Sequence, residues 1–381
     1  MHTATRLAMI FAGSLAFAQF PGGTNPDGSL RPSPPLTRLF TQDAYTEYQI
    51  LDPGSESFRI RFLPEETRAG ATELVNATRG GSEGSDVEVY DPRTGKRLPF
   101  KYEQQGDTHA IRAALPRPVP AGGVGRVLIY KTYKDPRTYT MNGGDIVWVR
   151  SLTGYRLGVI LPKGFGLLSS NVAAQLSALS DGRLKLAFAN PSGQSNPVTI
   201  HARKTTAEFT PATYTDMFFD DVKTLYDLGD PERHIIKVEQ TYSDYRQGPI
   251  AHLDSLEYLR LQNLSVVDLD TAKTLSAGSG RVNLDEPIRN DRQSAHLKIT
   301  GTLQDGKYRA ELGTLFFDRT LHGLRNTVLL PEGWEPEAVS QSGTIGRYQG
   351  RAFVALINLN AENSYRVSIR ARKTVERLAH R

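Results

Sequence analysis

The sequence carries one long motif twice, and this repetition constrains the fold more than any other feature. Residues 150–165 return as residues 319–334, with Arg, Leu, Gly, Arg and Leu-Pro in the same order in both segments. The copies lie far enough apart for each to hold a domain of ordinary size with its own hydrophobic core. We therefore predict an internal duplication that produced two homologous domains.

Matches on both sides of this motif extend the repeat over most of the chain. Before the motif, residues 90–98 match residues 267–275, and Leu115 matches Leu284. From Leu115 through Phe165 the two copies align at a constant offset of 169 residues. After the motif, residues 202–204 match residues 371–373. Two similar surfaces on one chain can pack against each other with pseudo-two-fold symmetry, as the subunits of a homodimer do. The duplicated arginines, among them Arg150 and Arg319, most simply hold a turn or pair with a carboxylate inside each copy.

Short runs of alternating apolar and polar residues indicate the secondary structure. Residues 57–62 and 86–90 alternate with a period of two, which is typical of half-buried strands. Only a few stretches, such as 173–180, 216–226 and 253–262, have a pattern compatible with a helix. Many short strands with turns between them predict an all-β fold, with two homologous β-sandwich domains in tandem.

The same features divide the chain into six segments. Pro211 and the pair Asp220-Asp221 interrupt the strand pattern between the repeats, so we place a linker there. We predict a signal peptide at 1–18, a Pro/Gly-rich tether at 19–45, a first β-sandwich repeat at 46–204, a linker at 205–225, a second β-sandwich repeat at 226–373 and a basic tail at 374–381.

The N-terminus predicts export. Arg6 precedes a short apolar run at 7–15, and Ala-Phe-Ala at 16–18 places small residues where a signal peptidase cleaves, between Ala18 and Gln19. No later stretch reaches ~18 apolar residues, so we expect no membrane span. The chain has no cysteine, so an exported fold must be stable without disulfides. We expect a secreted or periplasmic bacterial protein.

Charge and composition narrow the classes of function. The net charge of +5 comes with no run of five or more Lys and Arg residues, so we expect a solvated surface and no nucleic-acid partner. Hydrophobic residues at 39% and charged residues at 23% describe a globular chain rather than a disordered one.

Motifs for catalysis and metal binding have simpler structural interpretations here. Residues 80–84 fit G-x-S-x-G, but a nucleophile elbow needs a helix after the serine, and a strand pattern follows instead. The eight histidines have no spacing that would place two on one face of an element. The carboxylates of Asp220-Asp221 and of 268–270 suit a loop Ca²⁺ site or a plain turn, and we favour the turn. We expect no catalytic residue, no cofactor and no metal.

The best candidate for a binding surface is the segment 130–139, where aromatic and basic residues are interleaved. Such residues on a loop can stack against sugars or contact anionic polymers. The second copy keeps only Tyr308 of this pattern, so the surface is specific to the first copy. Binding requires that the tyrosines are accessible to solvent; the alternative is an ordinary strand and hairpin. The candidate binding residues are Tyr130, Lys131, Tyr133, Lys134, Arg137 and Tyr139.

One resemblance to a known family follows from the same region. The run Ala-Leu-Pro-Arg-Pro-Val-Pro-Ala-Gly-Gly at 114–123, followed by the apolar strand 127–130, resembles the N-terminal β-sandwich domain of metallopeptidases of the M1 and M61 types. The H-E-x-x-H zinc helix of those enzymes is absent from the sequence. The resemblance therefore implies a β-sandwich and carries over no catalytic residue. The chain as a whole resembles uncharacterised secreted bacterial proteins, which imply no function.

Two functions follow from these features as hypotheses. The first is an exported, non-catalytic binding or structural protein of the bacterial cell envelope, whose partner is another protein or a glycan. The alternative is an exported carbohydrate-active hydrolase with its site between the two domains. That enzyme would need a cleft holding two convergent carboxylates or a metal.

Overall fold

A computed structural model of the protein describes residues 45–77, 82–105, 108–190, 195–213, 221–244, 250–254, 260–278, 281–359 and 364–374. These residues form an all-β structure, as predicted, with no α-helix among them. The predicted signal peptide lies outside the described residues, as does the basic tail after Thr374. The same holds for the tether before Tyr45 and for the middle of the linker.

The first half of the described chain contains sixteen strands. They are β1 (Tyr45–Ile50), β2 (Ser57–Leu63), β3 (Glu65–Glu66), β4 (Glu73–Ala77), β5 (Glu83–Tyr90), β6 (Phe100–Gln105), β7 (Thr108–Ala114), β8 (Gly125–Arg126), β9 (Leu128–Lys134), β10 (Tyr139–Asn142), β11 (Asp145–Leu152), β12 (Arg156–Ile160), β13 (Phe165–Ser170), β14 (Gln175–Ala178), β15 (Leu184–Ala189) and β16 (Asn196–Lys204).

The second half of the described chain contains fifteen strands. They are β17 (Asp221–Leu228), β18 (Ile235–Asp244), β19 (Ile250–Asp254), β20 (Gln262–Asp268), β21 (Lys273–Thr274), β22 (Ala277–Gly278), β23 (Arg281–Ile288), β24 (Ala295–Gln304), β25 (Tyr308–Glu311), β26 (Thr314–His322), β27 (Arg325–Leu329), β28 (Trp334–Val339), β29 (Gly343–Tyr348), β30 (Arg351–Ile357) and β31 (Ser364–Lys373).

The largest sheets of the two halves have the same strand order. The first is the seven-stranded sheet β14-β15-β12-β1-β2-β9-β5, and the second runs β29-β30-β27-β17-β18-β24-β20 with β21 added at the end. In each sheet the first strand of the half lies parallel to a much later one, β1 to β12 and β17 to β27. The other pairs in both sheets are antiparallel.

Each large sheet shares a core with a four-stranded sheet, in the manner of a β-sandwich. The four-stranded sheets are β10-β11-β16-β13 and β25-β26-β31-β28. Phe58 of β2 and Trp148 of β11 meet in the first core, and Tyr226 and Phe317 meet in the second. The period-two pattern of β2 buries Phe58 and leaves Arg59 on the other face of the sheet.

A smaller sheet in each half covers a second, smaller core. The three-stranded sheets are β4-β7-β6 and β19-β23-β22, and β3 pairs with β8 in a two-stranded sheet. Val89 and Ile129 of the first large sheet reach this smaller core, as do Val266 and Ile299 of the second. Each large sheet therefore supports two adjoining hydrophobic clusters.

The described parts of the helix-compatible stretches contain no α-helix, and many of their residues belong to strands. Residues 175–178 are β14, β17 begins at Asp221, and Leu253 belongs to β19. The expectation of short helices is therefore wrong in these parts, and the predicted linker 205–225 ends inside β17. Segments this short make only marginal helices, whereas β14 and β17 each gain a full ladder of hydrogen bonds from a neighbouring strand.

The constant offset of 169 residues between the copies is wrong in one place. Tyr133 of β9 pairs with Phe58 in the first large sheet. At the same point of the second large sheet, Leu303 of β24 pairs with Ile236. Tyr133 and Leu303 are therefore equivalent, and their numbers differ by 170. The turn 135–139 after β9 is accordingly one residue longer than the turn 305–308 after β24.

The two halves join through a reciprocal pair of backbone hydrogen bonds. The N–H of Val124 donates to the carbonyl of Leu269 at 2.9 Å, and the N–H of Ser294 donates to the carbonyl of Pro92 at 2.7 Å. Pro92 and Leu269 hold the same position in the turns that follow β5 and β20. Val124 and Ser294 each lie directly before a strand, so the joint has an approximate two-fold relation.

A buried ion pair lies at the centre of this joint. The Arg126 guanidinium donates through Nε to Asp270 Oδ1 at 2.7 Å and through Nη1 to Ser294 Oγ at 2.9 Å. Burial alone would raise the pKa of Asp270, but the charge and hydrogen bonds of Arg126 hold it below its usual range. Nearby, His296 Nδ1 of β24 lies 3.6 Å from Glu65 Oε1 of β3.

The close approach of the halves depends on Gly123. A Cβ atom at this position would lie 2.4 Å from the carbonyl oxygen of Leu269. We expect Gly123→Ala to lower the free energy of unfolding by about 1–3 kcal/mol, because the backbones must separate to admit the methyl group. Urea denaturation measures the effect. Gly306→Ala is the control, since a Cβ there meets no atom within 4 Å, and equal changes in both variants would contradict the role of Gly123.

Candidate functional site

Three of the six predicted binding residues lie inside the protein. Tyr133 is 2% exposed, Tyr139 is 1% exposed and Lys131 is 5% exposed. The expectation of an exposed aromatic surface is therefore wrong for Tyr133 and Tyr139. The alternation that makes β9 a strand sends every second side chain, Lys131 and Tyr133 among them, into the interior.

The other three predicted residues are accessible to different degrees. Lys134 and Arg137 are exposed, and Tyr130 is half-buried on the opposite face of β9 from Tyr133. The segment 130–139 therefore supplies one aromatic side chain, Tyr130, to the outer surface of the large sheet.

The tyrosine that both halves share has a structural role. The Tyr139 hydroxyl donates to the carbonyl of Leu51 at 2.9 Å, and burial raises the pKa of Tyr139 to about 12. In the second half the Tyr308 hydroxyl donates in the same way to the carbonyl of Gly229 at 2.5 Å. Each tyrosine ties the end of the first strand of its half to the sandwich core.

Lys131 occupies the boundary between the two cores of the first half. Its Nζ lies 2.6 Å from Asn76 Oδ1 and 4.9 Å from the centre of the Tyr133 ring. Burial, and after it the charge of Arg150, lower the pKa of Lys131 to about 7. The position of Lys131 on β9 corresponds to Gly301 on β24.

The serine of the G-x-S-x-G motif is held by a buried carboxylate. Gly80 and Gly81 lie outside the described residues, but Ser82 is buried and its Oγ donates to Asp135 Oδ2 at 2.9 Å. Arg150 Nη1 donates to the same oxygen at 3.3 Å. The serine therefore anchors the start of β5 against the core, and a strand follows it instead of the helix that a nucleophile elbow requires.

The acidic residues that could have formed a loop Ca²⁺ site are likewise engaged by the protein itself, and Asp221 begins β17 rather than lying in a turn. Asp268 Oδ1 accepts the N–H groups of Asp270 and Thr271, and its Oδ2 accepts from Arg93 Nε at 3.1 Å. Asp221 pairs with Arg325, while Asp220 lies outside the described residues. Among the described residues no three His, Asp or Glu side chains are grouped closely enough to hold a metal ion. The same residues contain no helix able to cross a membrane.

The best candidate for a functional site is an open groove beside the joint, with a volume of about 480 Å³. One wall is the outer face of the first large sheet, and the other is the loop 289–294 of the second half. The lining residues are Gln49, Leu51, Arg59, Asp86, Glu88, Tyr130 and Thr132 from the first half, and Asp291 and Arg292 from the second.

The joint positions the second wall of the groove. Gln293 is buried and its Nε2 donates to the carbonyl of Arg93 at 3.1 Å, across the joint. Ser294 is held by Pro92 and by Arg126. The neighbouring Asp291 and Arg292 are thereby fixed against the first half.

Ion pairs and aromatic contacts organise the first wall. Arg59 Nη2 donates to Glu88 Oε2 at 3.0 Å, and the Arg59 guanidinium lies 5.3 Å from the centre of the Tyr130 ring. Burial raises the pKa of Tyr130, although the charge and hydrogen bond of Arg61 act in the opposite direction. Arg61 also donates to the carbonyl of Asp291 at 3.0 Å. The ring of Tyr130 is thus held at both its face and its hydroxyl.

Asp86 enters the groove from a β-bulge. β5 has one residue more than β9 between Ser85 and Glu88, and Asp86 has a φ of 49°. Aspartate and asparagine tolerate this left-handed backbone better than other non-glycine residues. The second half has the same bulge in β20, where Asn263 has a φ of 53°.

The equivalent face of the second large sheet has a different chemistry. The first large sheet faces residues 290–293 of the second half. By the two-fold relation of the joint, the equivalent neighbour of the second large sheet is the loop 120–123, which is composed of Pro, Ala and Gly. By strand register, Lys237 stands for Arg59, Asn263 for Asp86, Ser265 for Glu88 and Thr300 for Tyr130. The aromatic and acidic lining therefore belongs to the first sheet alone.

Sequence reasoning identified Tyr130 but missed the rest of the groove. Divergence between the copies within 130–139 marks Tyr130. Comparison over 86–90 carries the same signal, because the second copy has Asn263 and Ser265 in place of Asp86 and Glu88. No sequence pattern marks Asp291 or Arg292.

Comparisons with known proteins add no assignment. The chain matches no protein-family model and no curated protein.

The pKa of Lys131 predicts a pH-dependent cost to stability. Its pKa of about 7 in the folded chain lies below the ordinary value for lysine, ~10.4, so between these values the unfolded chain binds more protons. Stability therefore rises with pH across that window. We expect Lys131→Met to raise the free energy of unfolding by about 1–2 kcal/mol at pH 6 and by progressively less toward pH 10.

Lys134→Met is the matched control, because Lys134 lies on the same strand and is exposed. Urea denaturation at pH 6, 8 and 10 measures both variants. A gain for Lys131→Met that does not change with pH would show that the buried amine is not the titrating group.

Proposed function

We propose that this is an exported, non-catalytic binding protein of the bacterial cell envelope that recognises a glycan in the groove beside the joint. The observation that carries the proposal is the lining of this groove by both halves, with Tyr130 and Glu88 on one wall and Asp291 on the other. Export rests on the N-terminal sequence pattern.

The scaffold of this proposal is a pair of homologous β-sandwich domains in tandem. The shared strand order of the two large sheets, the two equivalent bulges and the reciprocal hydrogen bonds of the joint support a duplication. Duplication followed by divergence of one surface accounts for a charged groove on one large sheet whose equivalent face on the other sheet differs in chemistry.

The chemistry of the groove favours a glycan over a protein partner. It is concave and only about 480 Å³ in volume, whereas stable protein interfaces bury broad surfaces. Planar polar groups such as the Gln49 amide and the Arg59–Glu88 pair can hydrogen-bond neighbouring sugar hydroxyls. Tyr130 supplies an apolar ring with its hydroxyl already engaged.

Removal of the Tyr130 ring tests the site. We expect Tyr130→Ala to weaken binding of an envelope polysaccharide by about tenfold or more, as loss of an aromatic contact does. Titration calorimetry of the mature protein against a panel of polysaccharides measures this. Thr300→Ala, at the equivalent position of the second sheet, should bind like the unchanged protein. Equal affinities for the two variants would move the binding site elsewhere.

A glycoside hydrolase is the second candidate, because three carboxylates line the groove: Asp86, Glu88 and Asp291. Such an enzyme needs one carboxyl as acid and another as base or nucleophile. Assays for new reducing ends in the same panel distinguish the two functions. Hydrolysis that Glu88→Gln abolishes would replace the binding proposal, whereas binding without any release of reducing ends supports it.

A further inference from the structure

We propose that the groove selects a glycan that carries free amino groups. This inference rests on the glycan-binding function proposed above and concerns the charge of the ligand. It follows from which charged groups of the groove are already paired within the protein.

Both arginines of the groove have partners. Arg59 is paired with Glu88 at 3.0 Å, and the Arg292 guanidinium lies 4.4 Å from the centre of the Tyr90 ring. Tyr90 in turn packs edge-on against Tyr130, with ring centres 6.0 Å apart. Arg59 is therefore neutralised within the wall, whereas the contact with Tyr90 holds Arg292 in place and leaves its positive charge in the groove.

Two of the three carboxylates do not have a cationic partner. The Asp86 carboxylate accepts a hydrogen bond from Ser85 Oγ at 3.0 Å, and Asp291 uses its backbone carbonyl to accept from Arg61. No Lys or Arg side chain of the described residues forms an ion pair with either carboxylate. Both side chains are exposed in the groove, one on each wall.

Three carboxylates against two guanidinium groups give the lining a net negative charge, which suits an ammonium group. Opposite charge attracts that group to the groove. An uncharged sugar would gain only hydrogen bonds from the same groups. The bulge in β20 supports this interpretation, since the second sheet keeps the bulge but replaces the acid by Asn263.

The test compares two hexasaccharides with the same backbone, one of glucosamine and one of N-acetylglucosamine. The titrations are made at pH 6, where the free amines are largely protonated. We expect the glucosamine hexamer to bind at least about tenfold more tightly, and this difference to shrink as salt is added. Calorimetric titration of the full mature protein gives both affinities.

Asp86→Asn locates the charge that is responsible. The variant places at the first bulge the residue that the second bulge already carries, so the backbone conformation is retained. We expect it to weaken binding of the glucosamine hexamer about fivefold more than binding of the acetylated hexamer. Asp291→Asn should act in the same direction. Glu232→Gln, which removes one negative charge outside the groove, is the control.

The outcomes separate this inference from the function on which it rests. Equal affinity for the two hexamers, with both lost in Tyr130→Ala, overturns the charge preference and keeps the glycan-binding groove. Preference for glucosamine that Asp86→Asn and Glu232→Gln reduce equally also overturns it, because the effect would then follow net charge. Absence of Tyr130-dependent binding to any saccharide of the panel overturns the proposed function itself.

Discussion

The buried pair of Arg126 and Asp270 is the interaction on which the arrangement of the two halves depends. Both side chains are almost fully excluded from solvent, and the guanidinium also binds Ser294. A buried charge that loses its partner costs several kcal/mol, so any sliding of one half along the other is penalised. The pair thereby favours one relative position of the halves, and with it one shape of the groove between them.

The fold class was predictable because it depends on local patterns. The alternation in 57–62 predicts β2 and assigns Phe58 to the core and Arg59 to the opposite face, as the structure has them. The same pattern in β9 buries Lys131 and Tyr133. Their residue types alone had suggested that they belong to a binding surface. Periodicity is therefore better evidence of exposure than the chemical character of a side chain.

The groove was not predictable in the same way, because its residues are distant in the sequence. Arg59, Glu88 and Tyr130 become neighbours only through the pairing of β2, β9 and β5. Asp291 joins them through the joint between the halves. A single sequence contains no local signal of either event. What it does contain is a second copy of most elements, and differences between equivalent positions separate surface chemistry from the requirements of the fold.

Features present in both halves have structural explanations. Tyr139 and Tyr308 each donate to a backbone carbonyl, and Arg150 and Arg319 each pair with an aspartate inside their own half. These side chains provide hydrogen-bond and ion-pair partners for buried polar atoms, which would destabilise the core if they had no partner. The groove residues meet no such need, since the second sheet folds without them.

The parallel pairing of β1 with β12 has a consequence for how the chain reaches this structure. Tyr45 pairs with Arg156, and in the second half Lys223 pairs with Arg325, so each closing contact spans more than a hundred residues. Contacts of such long range slow folding, because chain entropy is lost before they form. In a chain that emerges from its N-terminus, one edge of β1 stays unpaired until β12 has also emerged, and only then does the first large sheet close around its core.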